Sequence, residues 1–81
     1  MIEKKVKIVN KAGMHTRPAS AIVKIASKYK SDFYIVKNNF RINGKSIIGV
    51  MTLAAEQGSE LTLELDGDDE VKASEELVKF F

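Results

Sequence analysis

Alternation of apolar and polar side chains along short segments limits the folds open to this chain. Residues 5–8 alternate lysine with an apolar residue, and residues 60–66 carry leucine at every second position. Such segments are amphipathic strands, each with one apolar face that must be covered. One layer of helices can cover a sheet of this kind, so we predict a two-layer α+β fold with an antiparallel sheet.

The rest of the chain supplies two further strands and three helices, in the order βαββαβα. Asn38-Asn39 separates two apolar runs and indicates a tight hairpin turn. Asp68, Asp69 and Glu70 place negative charge at the start of the last helix, and capping explains them better than metal binding. The predicted strands are residues 2–9, 32–37, 40–43 and 60–66. The first helix is predicted to run to about Tyr29 and the second from its Ser46 cap to about Leu53. The last begins at about residue 70, with Val71, Ser74, Leu77, Val78 and Phe81 near one face.

The stretch around residue 15 carries the clearest chemical signal. It holds the only histidine and the only proline of the chain. Pro18 is tolerated only in the first turn of a helix, which places His15 where the helix begins, and Gly13 lets the preceding loop fold back. The free N–H groups and the dipole of a helix start attract anions, and Arg17 adds a permanent positive fork suited to phosphate.

These features predict that His15 can be phosphorylated. The helix dipole disfavours the imidazolium form, so His15 should present a neutral, nucleophilic nitrogen at physiological pH. A lone histidine near a helix start is also compatible with a capping or solvent-exposed role. The spacing of the residues does not decide between the two interpretations.

The short second helix is almost entirely apolar, with Ile47, Ile48, Val50, Met51 and Leu53. A surface helix buries only one stripe, so we expect some of these side chains to be exposed and to dock a partner. The alternative is a deeply buried helix that Gly49 allows to approach its neighbour. Ser46 is predicted to cap this helix, a contribution of about 1 kcal/mol. A phosphate on Ser46 would add negative charge beside the apolar residues and weaken docking of an acidic partner.

Positive and negative charges are divided between the two halves of the sequence. Residues 1–45 carry eleven Lys or Arg and two acids, whereas residues 46–81 carry two Lys and nine acids. In one interpretation the fold brings the halves together, and they neutralise each other. In the other, a basic face steers acidic protein partners. The residues of that face are Arg17, Lys24, Lys28 and Lys45.

Several classes of function are excluded. The chain has no cysteine, so it has no disulfides and no thiol chemistry. No apolar run approaches the length of a membrane span, and residues 1–5 lead into a strand rather than a signal peptide, so we expect a cytoplasmic protein without membrane insertion. Residues 43–46 end like a phosphate-binding P-loop, but Asn39 occupies the position of its first glycine. We predict no nucleotide site, no metal and no other cofactor.

The run Gly13-x-His15-x-Arg17-Pro18-Ala19, with Lys-Ser-Ile-Ile-Gly-Val-Met from residue 45, resembles the histidine-containing phosphocarrier (HPr) family of the bacterial phosphoenolpyruvate-dependent sugar phosphotransferase system. The resemblance covers essentially the whole chain. It implies a single HPr domain over residues 1–81, an open-faced sandwich with three helices on one face and a sheet order of 1-4-2-3. It also implies a phosphoryl carrier rather than an enzyme. The helix N–H groups around Thr16 and Arg17, together with the Arg17 side chain, would hold the phosphate on Nδ1 of His15.

The resemblance further implies the partners. His15 would accept the phosphoryl group from enzyme I and pass it to IIA components, while an ATP-dependent HPr kinase/phosphorylase would modify Ser46 and a transcriptional regulator would read that signal. A monomer is expected. The implied docking residues are Thr16, Pro18, Ser20, Ile47, Ile48, Gly49 and Met51. Two positions depart from many relatives: Thr16 stands where alanine is common, and Gly44, in place of leucine or alanine, is expected to loosen the approach to Ser46.

Three other functions are considered. A regulatory paralogue from a nitrogen-related phosphorelay would share the chemistry but not sugar transport. The basic first half suggests a small nucleic-acid-binding module, but its aromatic residues do not form an RNP-like pattern, so we expect no nucleic acid. Those residues are Tyr29, Phe33, Tyr34 and Phe40. A non-catalytic interaction domain that uses only the apolar helix would make His15 dispensable.

Overall fold

The computed structural model describes residues 1–9, 16–53 and 56–81, with the backbone alone for Thr16 and Arg17. The predicted element order is confirmed. The elements are β1 (Ile2–Lys7), α1 (Thr16–Ser27), β2 (Asp32–Lys37), β3 (Phe40–Asn43), α2 (Ile47–Thr52), β4 (Glu60–Asp66) and α3 (Glu70–Phe80).

The four strands form one antiparallel sheet in the order β1-β4-β2-β3, as the family resemblance implied. The leucines of β4 all point to one side and are buried, because successive side chains of a strand point to opposite faces. Thr62 and Glu64 lie between them and point to the other side. The hairpin between β2 and β3 pairs Lys37 with Phe40, which confirms the two-residue turn, and Asn38 adopts a φ of 54° within it.

The helices cover the apolar face of the sheet. Helix α1 contacts both α2 and α3, while α3 also lies against β1 and β4, and α2 against β3. The buried apolar core draws on both layers. Its members are Ile8, Ala19, Ile22, Ala26, Phe33, Ile35, Val50, Leu53, Leu61, Leu63, Leu65, Ala73 and Leu77.

Two elements end earlier than the sequence predicts. Helix α1 ends at Ser27 rather than near Tyr29, because Tyr29 N–H bonds the carbonyl of Ala26, three residues back, in a tighter last turn. Strand β1 ends at Lys7, although Ile8 continues to bond across to Ser59 and Gly58. The core is unaffected, since Ile8 is still buried.

The apolar face predicted for α3 is wrong at one position. Val71 is 56% exposed, and Ala73 occupies the buried site instead. The helix starts at Glu70, and its buried face is formed by Ala73, Ser74 and Leu77, which lie at i, i+1 and i+4. Val71 projects from a neighbouring face of the helix and is therefore exposed.

Gly44 packs closely rather than loosening the approach to Ser46. It is buried, and its N–H donates to the carbonyl of Phe33 at 2.8 Å. A Cβ added to Gly44 would lie 2.2 Å from the ring of Phe33, which is itself 1% exposed. A side chain here would therefore displace a core aromatic ring.

The acidic cluster before α3 does more than cap the helix. Asp69 is the N-cap residue, but its side chain makes no cap hydrogen bond. Its carboxylate instead accepts from the backbone N–H groups of Lys30 and Ser31, at 2.8 and 3.0 Å, and from the Ser31 hydroxyl. Asp69 therefore joins the turn before α3 to the connection between α1 and β2, and Ser31, which is 1% exposed, is satisfied by it.

Acid should destabilise the fold through two carboxylates. The Ser31 hydroxyl and the backbone N–H groups of Lys30 and Ser31 lower the pKa of Asp69 below its usual 3.8, and hydrogen bonds from Lys28 and Tyr29 lower the pKa of Glu76 below its usual 4.5. A lowered folded-state pKa gives stability that is complete above the unfolded value and lost as pH falls through the folded one. We expect the melting temperature to fall below about pH 4.5, with a shallower fall in Asp69→Asn.

Thermal melts followed by circular dichroism between pH 2 and 7 would check this result. Asp68→Asn is the matched control, because Asp68 is the exposed neighbour of Asp69. An equally steep acid dependence in Asp69→Asn and in the parent chain would contradict the assigned role of Asp69.

Candidate functional site

The first turn of α1 lies where the sequence predicts it. The helix begins at Thr16, so Pro18 is its third residue and its missing N–H leaves no helical hydrogen bond unmade. There is no acidic residue in this turn. The backbone N–H groups of Thr16 and Arg17 are therefore among the first of the helix, which have no partner within it.

The structure fixes what surrounds the predicted phosphate site but does not test the site itself. Ala19 is buried, and Pro18 and Ser20 are half-buried, so the helix start is held against the core. His15, with Gly13, lies outside the described residues, and so does the side chain of Arg17. Their roles stay predictions.

Ser46 caps α2 as predicted. Its backbone is extended, and its Oγ accepts from the N–H of Gly49 at 3.1 Å. A Cβ on Gly49 would lie 3.3 Å from both the Asn43 carbonyl oxygen and the Ser46 Cβ. Gly49 therefore keeps the capping turn tight, and the Ser46 hydroxyl lies at the start of the apolar helix.

Helix α2 buries one apolar stripe and exposes another. Val50 is fully buried and Leu53 is 5% exposed. Ile47, Ile48 and Met51 are exposed by 41, 76 and 40%, as expected for a surface helix with no polar face. We call these three residues the α2 patch. Exposed apolar side chains that adjoin one another are typical of interaction surfaces, so docking by the α2 patch stays a prediction.

The predicted basic face is partly neutralised by the fold. Lys28 pairs with Glu76 at 2.5 Å, and the Nζ of Lys45 donates to the carbonyl of Tyr29 at 2.8 Å, near the C-terminal end of α1. Hydrogen bonds from Lys28 and Tyr29 converge on Glu76. Lys24 is exposed. Charges from the two halves of the sequence therefore meet at Glu76, while Lys24 lies on the surface of α1, and the steering of acidic partners by a basic face stays a prediction.

The described residues contain no cluster of three side chains suited to a metal ion. Among the helices of the described ranges, none is long and apolar enough to cross a membrane. Besides Val71, the sequence interpretation also missed the exposure of Phe40, which is 72% exposed. The signal that could have indicated it is the strand order implied by the family resemblance, which places β3 at the edge of the sheet.

Known proteins of one family match this chain over nearly its whole length. The family described as the PTS HPr component phosphorylation site matches residues 2–81. The phosphocarrier protein HPr of Treponema pallidum is 46% identical over 81 residues, which are 100% of this chain and 92% of that protein.

Solved structures with the same fold include members of this family. The crystal structure of HPr-C-His from Thermoanaerobacter tengcongensis has a TM-score of 0.94 and 43% identity, covering 98% of this chain and 89% of that one. The Bacillus subtilis catabolite repression protein Crh, a dimer with a swapped domain, has a TM-score of 0.80 and 39% identity, covering 99% of this chain and 92% of that one. Sequence and fold thus coincide, and the chain belongs to the HPr family of phosphocarrier proteins of the phosphotransferase system.

Proposed function

We propose that this chain acts as a single HPr domain that carries a phosphoryl group on His15. It accepts the group from phosphorylated enzyme I and passes it to sugar-specific IIA components. The observation that supports this most is the start of α1 at Thr16, directly after the only histidine, in a chain whose family is defined by an HPr phosphorylation site. The free N–H groups of that turn favour an anion at the position of His15.

The proposed transfer needs positioning and charge neutralisation more than covalent help. The P–N bond to the enzyme I histidine breaks as a P–N bond to Nδ1 of His15 forms, and phosphoryl transition states of this kind are loose. The N–H groups of Thr16 and Arg17 and the guanidinium of Arg17 hold the phosphate oxygens. No acidic residue in the first turn of α1 repels them. The carrier then releases the group in a second transfer of the same kind, without turnover of its own.

Intact mass after incubation with phosphoenolpyruvate and the cognate enzyme I tests the proposal. We expect one added phosphate that is lost in mild acid, as phosphohistidine is and phosphoserine is not. Addition of a cognate IIA protein should move the phosphate onto that protein. If an enzyme I that is active on another HPr adds no phosphate to this chain, the carrier function is wrong.

We propose that partners dock on α1 and α2 together. The two helices are in contact, which brings the first turns of α1 to the same side of the sheet as the α2 patch. The docking residues are Thr16, Pro18, Ser20, Ile47, Ile48, Gly49 and Met51. Apolar side chains that exclude water around a polar reaction centre are the usual anatomy of a specific interface.

Phosphorylation of Ser46 by an ATP-dependent kinase is proposed as a regulatory signal. The hydroxyl lies at the N-cap of α2, beside Ile47, so a phosphate there would place two negative charges next to the α2 patch. A transcriptional regulator would read the modified form. The similarity to Crh, a catabolite repression protein, supports a regulatory branch of this kind.

A pair of variants separates the charge of Ser46 from its capping role. Both Ser46→Asp and Ser46→Asn retain a good N-cap oxygen, so both should fold with a melting temperature near that of the parent chain. We expect Ser46→Asp to bind cognate enzyme I about tenfold more weakly, because the added carboxylate lies beside the α2 patch, while Ser46→Asn changes binding little. Titration calorimetry measures both, and equal affinities for the two variants would contradict the electrostatic account.

The same proposal covers location and assembly. We place the carrier in the cytoplasm, where enzyme I and phosphoenolpyruvate would be available, and expect it to act as a monomer. The regulatory paralogue of a nitrogen-related phosphorelay is the second candidate, and the identity of the IIA protein that accepts the phosphate separates the two.

A further inference from the structure

Phe40 is an exposed aromatic residue at the edge of the sheet. It is the first residue of β3, which pairs with β2 on one side and ends the strand order on the other. Its side chain is 72% exposed, more than most of the apolar side chains on the surface of the described residues. A large aromatic side chain costs free energy in water that burial against a partner would recover.

A cavity of about 180 Å³ separates Phe40 from the C-terminal end of α2. It is lined by Lys37, Asn38, Phe40, Thr52 and Leu53. The Nζ of Lys37 donates to the carbonyl of Leu53 at 3.3 Å, which ties the hairpin to the end of the helix. The cavity is therefore held between two fixed elements and is large enough to take one apolar side chain of a partner.

The cavity continues the α2 patch. Thr52 lies four residues after Ile48 and adjoins Met51, so these side chains follow one face of α2 towards the cavity. The β2–β3 hairpin also lies at the end of the sheet where β1 ends. Val6 of β1 and Val36 of β2 pair with adjacent residues of β4, so β1 and β2 run in the same direction and end together. An apolar surface thus runs from the α2 patch to Phe40, at the end of the sheet where β1 ends before the chain enters α1.

Charge indicates what kind of partner fits this edge. Residues 33–55 carry Lys37, Arg41 and Lys45 and no carboxylate. Arg41 points to the open face of the sheet, where it pairs with Glu64 at 2.8 Å, whereas Lys37 lines the cavity and adds positive charge to its rim while bonded to the Leu53 carbonyl. A second copy of the chain would bring like charges together, and a nucleic acid would place its phosphates against an apolar strip. An acidic protein matches both properties.

We propose that Phe40 and this cavity extend the docking surface and receive an aliphatic or aromatic side chain that projects from an acidic partner protein. The proposal deepens the proposed function, on which it rests, because that function supplies acidic-protein docking beside α1. It assigns to Phe40 a contribution to affinity and none to the chemistry at His15. A few aromatic side chains that are buried in well-packed pockets of an interface commonly carry much of its binding energy.

The test is a calorimetric titration of the unphosphorylated chain with cognate enzyme I and with each cognate IIA protein. We expect Phe40→Ala to weaken binding to at least one of them about tenfold, and Phe40→Leu to recover most of the loss. Val71→Ala is the matched control, because Val71 is an exposed apolar side chain on α3. It should change binding less than twofold. Melting temperatures verify that every variant is folded, as expected for exposed positions.

The outcomes distinguish this proposal from the carrier function. If Phe40→Ala binds all of these proteins as the parent does, or if the parent binds none, the proposal is overturned while phosphorylation of His15 can still stand. If Phe40→Ala weakens binding and no phosphate is accepted, the docking site stands and the carrier function fails. Sedimentation of the parent as a dimer that Phe40→Ala dissociates would assign the edge to a second copy. Loss of binding only to a labelled oligouridine would assign it to nucleic acid.

Discussion

Replacement of His15 by alanine will abolish acceptance of acid-labile phosphate from enzyme I. The imidazole is the only one in the chain, so no neighbouring histidine can take over. We expect the variant to fold, because α1 begins only at the next position, and its melting temperature verifies this. Intact mass before and after mild acid measures the effect, which is complete loss rather than a fractional one.

Arg17→Ala should slow phosphoryl transfer without abolishing it. Removal of one charge that holds the phosphate should slow transfer about 100-fold or more while leaving a single acid-labile phosphate at the end point. Arg41→Ala is the control, since Arg41 lies on the open face of the sheet against Tyr34 and Glu64. An acid-labile phosphate on His15→Ala would contradict the assignment of His15 as the phosphoryl acceptor. Equal transfer rates for Arg17→Ala and Arg41→Ala would contradict the role of Arg17 in holding the phosphate.

Gly67→Ala is expected to cause a large loss of stability. A Cβ on Gly67 would lie 2.6 Å from Ser31 Oγ, 2.7 Å from Ser31 Cα and 3.0 Å from Ser31 Cβ. Ser31 cannot retreat easily, because it is 1% exposed and bonded to Asp69. The substitution should lower the free energy of unfolding by about 3 kcal/mol.

Gly58→Ala is the matched control for that clash. Gly58 has a φ of 90°, but a Cβ there would meet nothing within 4 Å, so the substitution introduces backbone strain alone, about 1 kcal/mol. Urea denaturation of the two variants and the parent measures the difference. If Gly67→Ala loses no more than Gly58→Ala, the close approach to Ser31 does not account for the glycine.

The sequence predicted secondary structure well where a strand, turn or cap depends on residues that are close together in the chain. The leucines of β4 alternate because one face is buried, and the Asn38-Asn39 turn and the Ser46 cap depend on residues within four positions of one another. The strand order 1-4-2-3 is a different matter. Periodicity shows that each strand has one buried face but not which strands are neighbours, and here the order was predicted only from the family resemblance.

Contacts between distant residues were missed or misassigned. The partner of Asp69 lies 38 residues earlier, at Ser31, so the sequence alone presented Asp69 as a helix cap. Gly44 was predicted to loosen the approach to Ser46, whereas it packs against the ring of Phe33, a contact that no local pattern indicates. The exposure of Phe40 depends on β3 being the edge strand, which no local pattern reveals.

The central place of β4 also has a consequence for how the chain is made. β4 pairs with both β1 and β2, yet it is the last strand in the sequence. A growing chain can form α1 and the β2–β3 hairpin early, since their contacts are local, but β1 has no strand to pair with until Asp66 has left the ribosome. The sheet therefore closes in one late step, and truncated chains that stop before β4 will expose two unpaired strand edges to chaperones and proteases.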